Sequence, residues 1–353
     1  MKRISAVICE LNPLHDGHRY VFSKAKEESD VLIAVMSGNF VQRGESAVYD
    51  KYKRASAALS AGADLVLELP FPFSASSAEF FAKAGVRIAE KAGADTLVFG
   101  SECGDIEALK RAGEVLDSSE YREAMKVGRS AHLRSEALKR LAPALPESLL
   151  NSPNDILGAE YCRRATIRTV PVQRISTESA SLIRRRELSF GNTDMLDPAR
   201  LFELEYIHFR TQREKRQGIA ECSGGLWERL QNCARTSPDS YSWFESIKTK
   251  QYTNARLRRA ALFSLVGLTA EEMAMEVLFT KVLGANAVGR DYLSSLKKAS
   301  DFPVITNASD KRNLDKDTSR QYELSEFADS IYALCMGCVD PGVFAKGRPV
   351  IVE

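Results

Sequence analysis

Seven residues, Asn12-Pro13-Leu14-His15-Asp16-Gly17-His18, follow the apolar run of residues 4–9 after only Glu10 and Leu11. Two of the chain's four histidines fall inside this segment. Gly17 permits a tight turn and a close backbone approach, and the helix expected next presents free N–H groups and the positive end of its dipole. Two imidazoles at such a helix start can donate hydrogen bonds to phosphate oxygens that gain charge in a transition state. A metal site is a second reading, but the loop offers no evident third ligand. A third is structural, with one histidine capping the helix and the other packed. Phosphate chemistry is the favoured one. A second candidate segment, Ser179-Ala180-Ser181-Leu182-Ile183-Arg184, pairs hydroxyls able to cap a helix with a guanidinium able to grip β- and γ-phosphates.

These residues need elements to hold them. Residues 4–9, 31–36, 65–69, 96–99 and 169–175 read as strands. Residues 17–28, 51–60, 77–91 and 152–164 read as helices, the last with Ser152 as N-cap and Pro153 in its first turn. Residues 104–145 read as a charged helical excursion. Strand and helix in alternation imply βαβ units around a parallel sheet, which binds ligands at the carboxyl ends of its strands. Beyond residue 195 the alternation stops. Residues 256–266 and 270–283 are expected as helices, with short strands at 303–306 and 349–352. Turn formers cluster at 188–198. The expected architecture is α/β: a Rossmann-like parallel sheet over residues 1–190 and a mostly helical C-terminal domain over 191–353.

The strand–HxGH–helix arrangement, followed at a distance by the Ser179–Arg184 segment, is similar to the HIGH-type nucleotidyltransferase superfamily, whose members attack the α-phosphate of a nucleoside triphosphate. Further segments narrow the likeness. Met36-Ser37-Gly38-Asn39-Phe40-Val41-Gln42-Arg43-Gly44-Glu45 closely resembles the M-S-G-x-F-x-Q-R-G-E stretch of the bacterial tRNA(Met) cytidine acetate ligases. So do Leu67-Glu68-Leu69-Pro70, Phe99-Gly100-Ser101-Glu102 and Ser152-Pro153-Asn154-Asp155-Ile156-Leu157-Gly158. The likeness is dense over residues 1–190 and looser beyond. Ser181 stands where the family usually has Thr, and a bulkier Leu182 follows.

The resemblance implies an enzyme that activates acetate with ATP as acetyl-adenylate and passes the acetyl group to N4 of the wobble cytidine of elongator tRNA(Met). Its implied ATP contacts are Val7, Ile8, Cys9, Glu10, Leu11, Asn12, Pro13, His15, Gly17, His18, Gly100, Asn154, Arg174 and Ile175, with Ser179 and Ser181 from the second segment. His15, His18 and Arg184 would be catalytic. Mg²⁺ is expected to be bound through the nucleotide's phosphates, with no protein metal site. Arg43 and Gly44 could approach either an acyl pocket or the phosphates. A small-molecule adenylyl- or cytidylyltransferase is an alternative, and so is a tRNA-binding protein with a decayed site.

Composition sets outer limits. Of 353 residues, Lys and Arg number 49 and Asp and Glu 47, a net of +2, so the whole chain is not a polycation. Basic residues are nevertheless concentrated. Residues 163–186 hold seven arginines against one acid, and 248–259 hold five basic residues and none. Such patches suit a phosphate-rich partner, although a solvated helix face is as ordinary an explanation. Arg185, Arg186, Lys248, Lys250, Arg256, Arg258 and Arg259 are the expected tRNA contacts. Trp227, Trp243 and Tyr252 could stack on splayed bases, but aromatics so placed are more often core. Seven scattered cysteines make no disulfide framework, and the single pair Cys335/Cys338 is weak as a metal or redox motif. No apolar run spans a membrane, and the short apolar start does not fit a signal peptide, so the expected location is the cytoplasm.

Overall fold

The computed structural model describes residues 2–126, 131–175, 178–189, 194–212 and 217–352. The strands are β1 (Ile4–Cys9), β2 (Val31–Ser37), β3 (Phe40–Val41), β4 (Glu45–Ser46), β5 (Leu65–Leu69), β6 (Thr96–Ser101), β7 (Arg168–Gln173), β8 (Thr280–Ala285), β9 (Val304–Ile305) and β10 (Val350–Ile351). In the first half lie helices α1 (Asp16–Glu27), α2 (Lys51–Ser60), α3 (Ala78–Lys91), α4 (Ile106–Asp117), α5 (Ser119–Ala124), α6 (Ala131–Leu141), α7 (Ser148–Asn151), α8 (Pro153–Arg164) and α9 (Ala180–Ser189). The second half adds α10 (Ala199–Thr211), α11 (Leu226–Thr236), α12 (Ser240–Ile247), α13 (Asn254–Val266), α14 (Ala270–Ala274), α15 (Ala287–Ala299) and α16 (Lys316–Cys335).

The main sheet runs β10-β8-β5-β2-β1-β6-β7. Strands β5, β2, β1, β6 and β7 are parallel. Their order is that of a doubly wound sheet that reverses direction at β1, so the crevice opens at the carboxyl end of β1, between β2 and β6. Both faces of β1 and β2 are covered. Ala6, Ile8, Ile33 and Val35 face a core shared with α3, α8, α13 and α16, while Val7, Cys9, Ala34 and Met36 face α1 and α2. That is why these strands read as unbroken apolar runs rather than alternating ones.

Residues 270–283 are not one helix. Only Ala270–Ala274 is helical, and Thr280–Ala285 is a strand, antiparallel to β5 with Leu65 opposite Ala285. A buried run of six residues has no periodicity that separates strand from helix, and here the open edge of β5 decides. Strands β9 and β10 then pair with β8, so three strands from beyond residue 190 belong to the sheet begun by the N-terminal half. Helices α10 to α13 form a separate apolar cluster around Phe209, Trp227 and Trp243.

Two buried polar groups lock this return. Asp64 accepts hydrogen bonds from the Leu32 N–H (2.8 Å) and the Asn286 side chain (2.9 Å), and pairs with Lys26. Gly289 lies so close that a Cβ there would fall 1.9 Å from the Asp64 carbonyl oxygen. Lys51, fully buried at the start of α2, bonds Glu68 of β5 (2.9 Å) and Asp329 of α16 (2.6 Å). Burial opposes the Lys51 charge, but Asp329 and Glu68 more than offset it and hold its pKa above the ordinary lysine value. Lys51→Ala strands two buried carboxylates. Equilibrium denaturation of this variant should show a loss of about 3–5 kcal/mol.

Candidate active site

A cavity of about 310 Å³ opens at the crevice. His15 is the N-cap of α1: its Nδ1 accepts the Gly17 N–H (3.1 Å), while His18 Nδ1 accepts the His15 N–H (3.3 Å). The rings stack with centroids 3.8 Å apart. Because both Nδ1 atoms are acceptors, each neutral ring carries its proton on Nε2, as a donor toward the cavity that both residues line. Burial lowers the pKa of His15, helped by the charge of Arg174 and opposed by Asp16. Burial, then His15 and Arg174, take His18 down to about 3. The capping and phosphate readings of the motif are therefore compatible: one ring nitrogen caps and the other donates.

The second segment closes over the same place. Ser179 Oγ accepts the Leu182 N–H (3.3 Å), capping α9, and Arg184 reaches back to the Asn12 carbonyl (2.5 Å) and Ser181 Oγ (3.2 Å). On the β6–β7 side, Glu102 gathers the polar wall. It accepts from Asn154 Nδ2 (2.7 Å), Arg174 Nη1 (3.0 Å) and the Asp155 N–H (3.1 Å). Asn154 thus does not cap α8, and Ser152, at the N-cap position, makes no side-chain cap bond. Asp155, fully buried, binds Ser101 Oγ and the N–H groups of Glu102 and Cys103, which fixes the turn after β6.

Of the expected nucleotide contacts, Val7, Ile8, Cys9, Glu10, Asn12, His15, Gly17, His18, Gly100, Asn154, Arg174, Ser181 and Arg184 line the cavity. Leu11, Pro13, Ile175 and Ser179 are not in its lining; Leu11 is buried and Ile175 exposed. The lining also includes Gln42, Glu45, Phe81, Phe99, Leu157 and Tyr161. Sequence reasoning had no chemical signal for the apolar ones, whose position depends on which helix packs on which strand. Gln42, Arg43 and Glu45 were visible only through the family-like segment.

The HIGH Nucleotidyl Transferase family model matches residues 1–189 and 179–341. The tRNA(Met) cytidine acetate ligase of Syntrophotalea carbinolica is 34% identical, aligned over 87% of this chain and 85% of its own. That of Acetivibrio thermocellus is 31% identical over 94% and 95%. The chain belongs to this family. Among solved structures, Thermotoga maritima TmcAL bound with alpha-thio ATP superposes with a TM-score of 0.88 at 30% identity, covering 99% of both chains, and its apo form with 0.87.

In this family member the expected tRNA-binding cations are unevenly available. Arg185 and Lys250 are exposed. Arg186 pairs with Glu178, and Lys248 with Glu245. On α13, Arg256 and Arg259 pair with Glu221, and Arg258 pairs with Glu45 between the rings of Phe202 and Phe244. The arginine-rich segment is similarly engaged: Arg163 and Arg164 meet Glu79, Asp117 and Glu160, and Arg168 meets Glu28. Trp227, Trp243 and Tyr252 are buried core residues and offer no stacking face. No helix among the described residues is long and apolar enough to cross a membrane.

His18 gives a direct check. Its folded pKa lies below the ordinary 6.5, so the stability it confers is complete above pH 6.5 and is lost as pH falls toward about 3. NMR titration should find this imidazole still neutral at pH 5, where a free histidine is mostly protonated. A midpoint between 6 and 7 would remove the neutral-donor assignment.

Proposed function

We propose that this chain uses ATP to activate acetate as acetyl-adenylate and transfers the acetyl group to N4 of the wobble cytidine of elongator tRNA(Met). The observation that carries the proposal is the convergence of both histidine Nε2 donors, Arg184 and the Glu102–Asn154–Arg174 wall on one cavity at the sheet's switch point, in a chain of this family. In the first step an acetate oxygen attacks the α-phosphorus, the bond to the bridging oxygen breaks and pyrophosphate leaves. His15 and His18 donate to the α-phosphoryl oxygens as charge builds there, and Arg184 holds the leaving phosphates. No covalent enzyme nucleophile is needed. In the second step the cytidine amine attacks the acetyl carbon and AMP leaves.

Among the described residues no group of three His, Cys, Asp or Glu is placed to hold a metal ion; of the carboxylates lining the cavity, Glu45 is paired with Arg258 and Glu10 accepts the Gln42 N–H on one oxygen. In this proposal Mg²⁺ enters with the nucleotide's phosphates. For tRNA, the exposed Arg185, Arg186, Lys248 and Lys250 are the proposed phosphate contacts, while Arg256, Arg258 and Arg259 shape α13 and its neighbours. The helices α10 to α13 that carry Lys248 and Lys250 near their ends are, together with α9, the proposed tRNA-facing part, and the proposed substrates suit a cytoplasmic enzyme. The intact trio of His15, His18 and Arg184 counts against a decayed enzyme.

The deciding test is acetate-dependent exchange of labelled pyrophosphate into ATP. Exchange with acetate supports the proposal; exchange only with another acid, or none, refutes it. His15→Ala and His18→Ala should each slow exchange about 10²–10³-fold, the scale of a lost transition-state donor, with tRNA affinity in gel shifts nearly unchanged. Arg185→Ala and Lys250→Ala should leave exchange alone and each flatten the salt dependence of tRNA binding by about one unit of slope.

A further inference from the structure

The cavity has two sides, set by the reversal of the sheet at β1. On the β6–β7 side stand Gly100, Asn154 and Arg174; on the β2 side stand Gln42, Arg43 and Glu45, with Glu10 at the end of β1 between them. The nucleotide groups proposed above occupy the first side together with the histidines. The second side is therefore where the acyl group and its acceptor must meet. This side also abuts α13: the turn Gln42–Gly44 packs on it, a Cβ on Gly44 would lie 2.8 Å from the Arg259 nitrogen, and Glu45 pairs with Arg258.

Glu10 is built into this place. The Gln42 N–H donates to its Oε1 (2.8 Å), and Arg54 Nη1 donates to its backbone carbonyl (2.8 Å). Among the described residues its second carboxyl oxygen has no hydrogen-bond partner, although Glu10 lines the cavity. Nothing in the activation of acetate needs a proton acceptor, since a carboxylate attacks and pyrophosphate departs. Acyl transfer does need one. The lone pair of a cytosine amine is delocalised into the ring, and its attack on an acyl carbon leaves an acidic N–H.

Resting on the ligase function proposed above, we infer that Glu10 is the general base of acyl transfer, taking the proton from the cytidine N4 amine. The C–N bond forms to the acetyl carbon, the C–O bond to the phosphate breaks, AMP leaves with that electron pair, and the N4 proton passes to the Glu10 carboxylate. Its surroundings tune it for that role. Burial raises its pKa from 4.5 to about 7; the Gln42 N–H opposes this, Glu45 adds to it, and Arg43 and Arg54 oppose it. Cys9 and Tyr161, the other titratable groups beside it, are held neutral by burial. A carboxyl raised into that range can still serve as the proton-accepting carboxylate near neutral pH, the condition for efficient general-base catalysis.

The test compares wild type with Glu10→Gln, which keeps the shape but cannot take a proton, and with Glu10→Asp. Three rates are read on the full chain: acetate-dependent pyrophosphate exchange, trapping of acetyl-adenylate by hydroxylamine as acetohydroxamate, and single-turnover acetylation of tRNA across pH 5.5–9. In Glu10→Gln, tRNA acetylation should fall about 10²–10⁴-fold, far more than exchange or trapping. In wild type it should rise about tenfold per pH unit up to about 7 and then level, and that acid limb should vanish in the variant. Glu10→Asp should retain the limb at a lower rate. Equal losses of exchange and acetylation, or an unchanged acid limb in Glu10→Gln, would overturn the assignment and leave the ligase function standing. Wild type that shows no acetate-dependent exchange would overturn both.

Discussion

The carboxyl ends of β1 and β2 are held together by one guanidinium. Arg54 is fully buried and donates to the carbonyls of Glu10, Ser37, Gly38 and Tyr49. A buried cation without such partners is costly, so α2 stays where these carbonyls converge, and the carbonyls stay where α2 puts Arg54. Everything that faces substrate begins at those ends: the chain turns at Leu11 (φ 49°) into the histidine motif and at Arg43 (φ 75°) into the far wall of the cavity. One turn earlier on the same helix, Lys51 anchors β5 and α16. A single helix therefore sets the width of the crevice and attaches it to the C-terminal part of the chain.

Charge in the site is divided by residue type. The histidines next to the expected α-phosphate are neutral, so they can donate without carrying their own desolvation penalty. The full positive charges are guanidiniums whose planar forks are fixed by neighbours, Arg174 by Glu102 and Arg184 by the Asn12 carbonyl. Fixed donors need little rearrangement as a reaction proceeds, which is the substance of electrostatic preorganisation. The two members of the helix cap are also the two donors, so losing either histidine loosens the start of α1 as well as removing a hydrogen bond.

Much of this was readable beforehand. The five parallel strands announced themselves as apolar runs bounded by turn residues, and the histidine motif by sitting at the end of the first one. Asn154 and Arg174 were marked by resemblance, but their common partner Glu102 emerges only when β6 and α8 are brought together. Strand β8 was misread because local pattern cannot report a free sheet edge 200 residues away. The basic patches were overcounted for a related reason: composition registers Arg163 and Arg259 but not the carboxylates of Glu79 and Glu221 that fold against them. Interleaved aromatics and cations around residues 227–252 proved to be a small helical core with charged residues packed on its surface.

The antiparallel strand has an effect on how the chain is made. Leu65 lies opposite Ala285, so the edge of β5 has no partner until the ribosome has delivered 220 further residues. At the usual rates of translation that interval lasts roughly 10–40 s. Through it, a nascent chain exposes an apolar strand edge beside a catalytic motif that is already complete in sequence, a natural target for chaperones and an opportunity for mispairing. The last strands to emerge cover the sheet edge that the first ones opened, so a molecule truncated before β8 keeps His15 and His18 but leaves the β5 edge bare for mispairing.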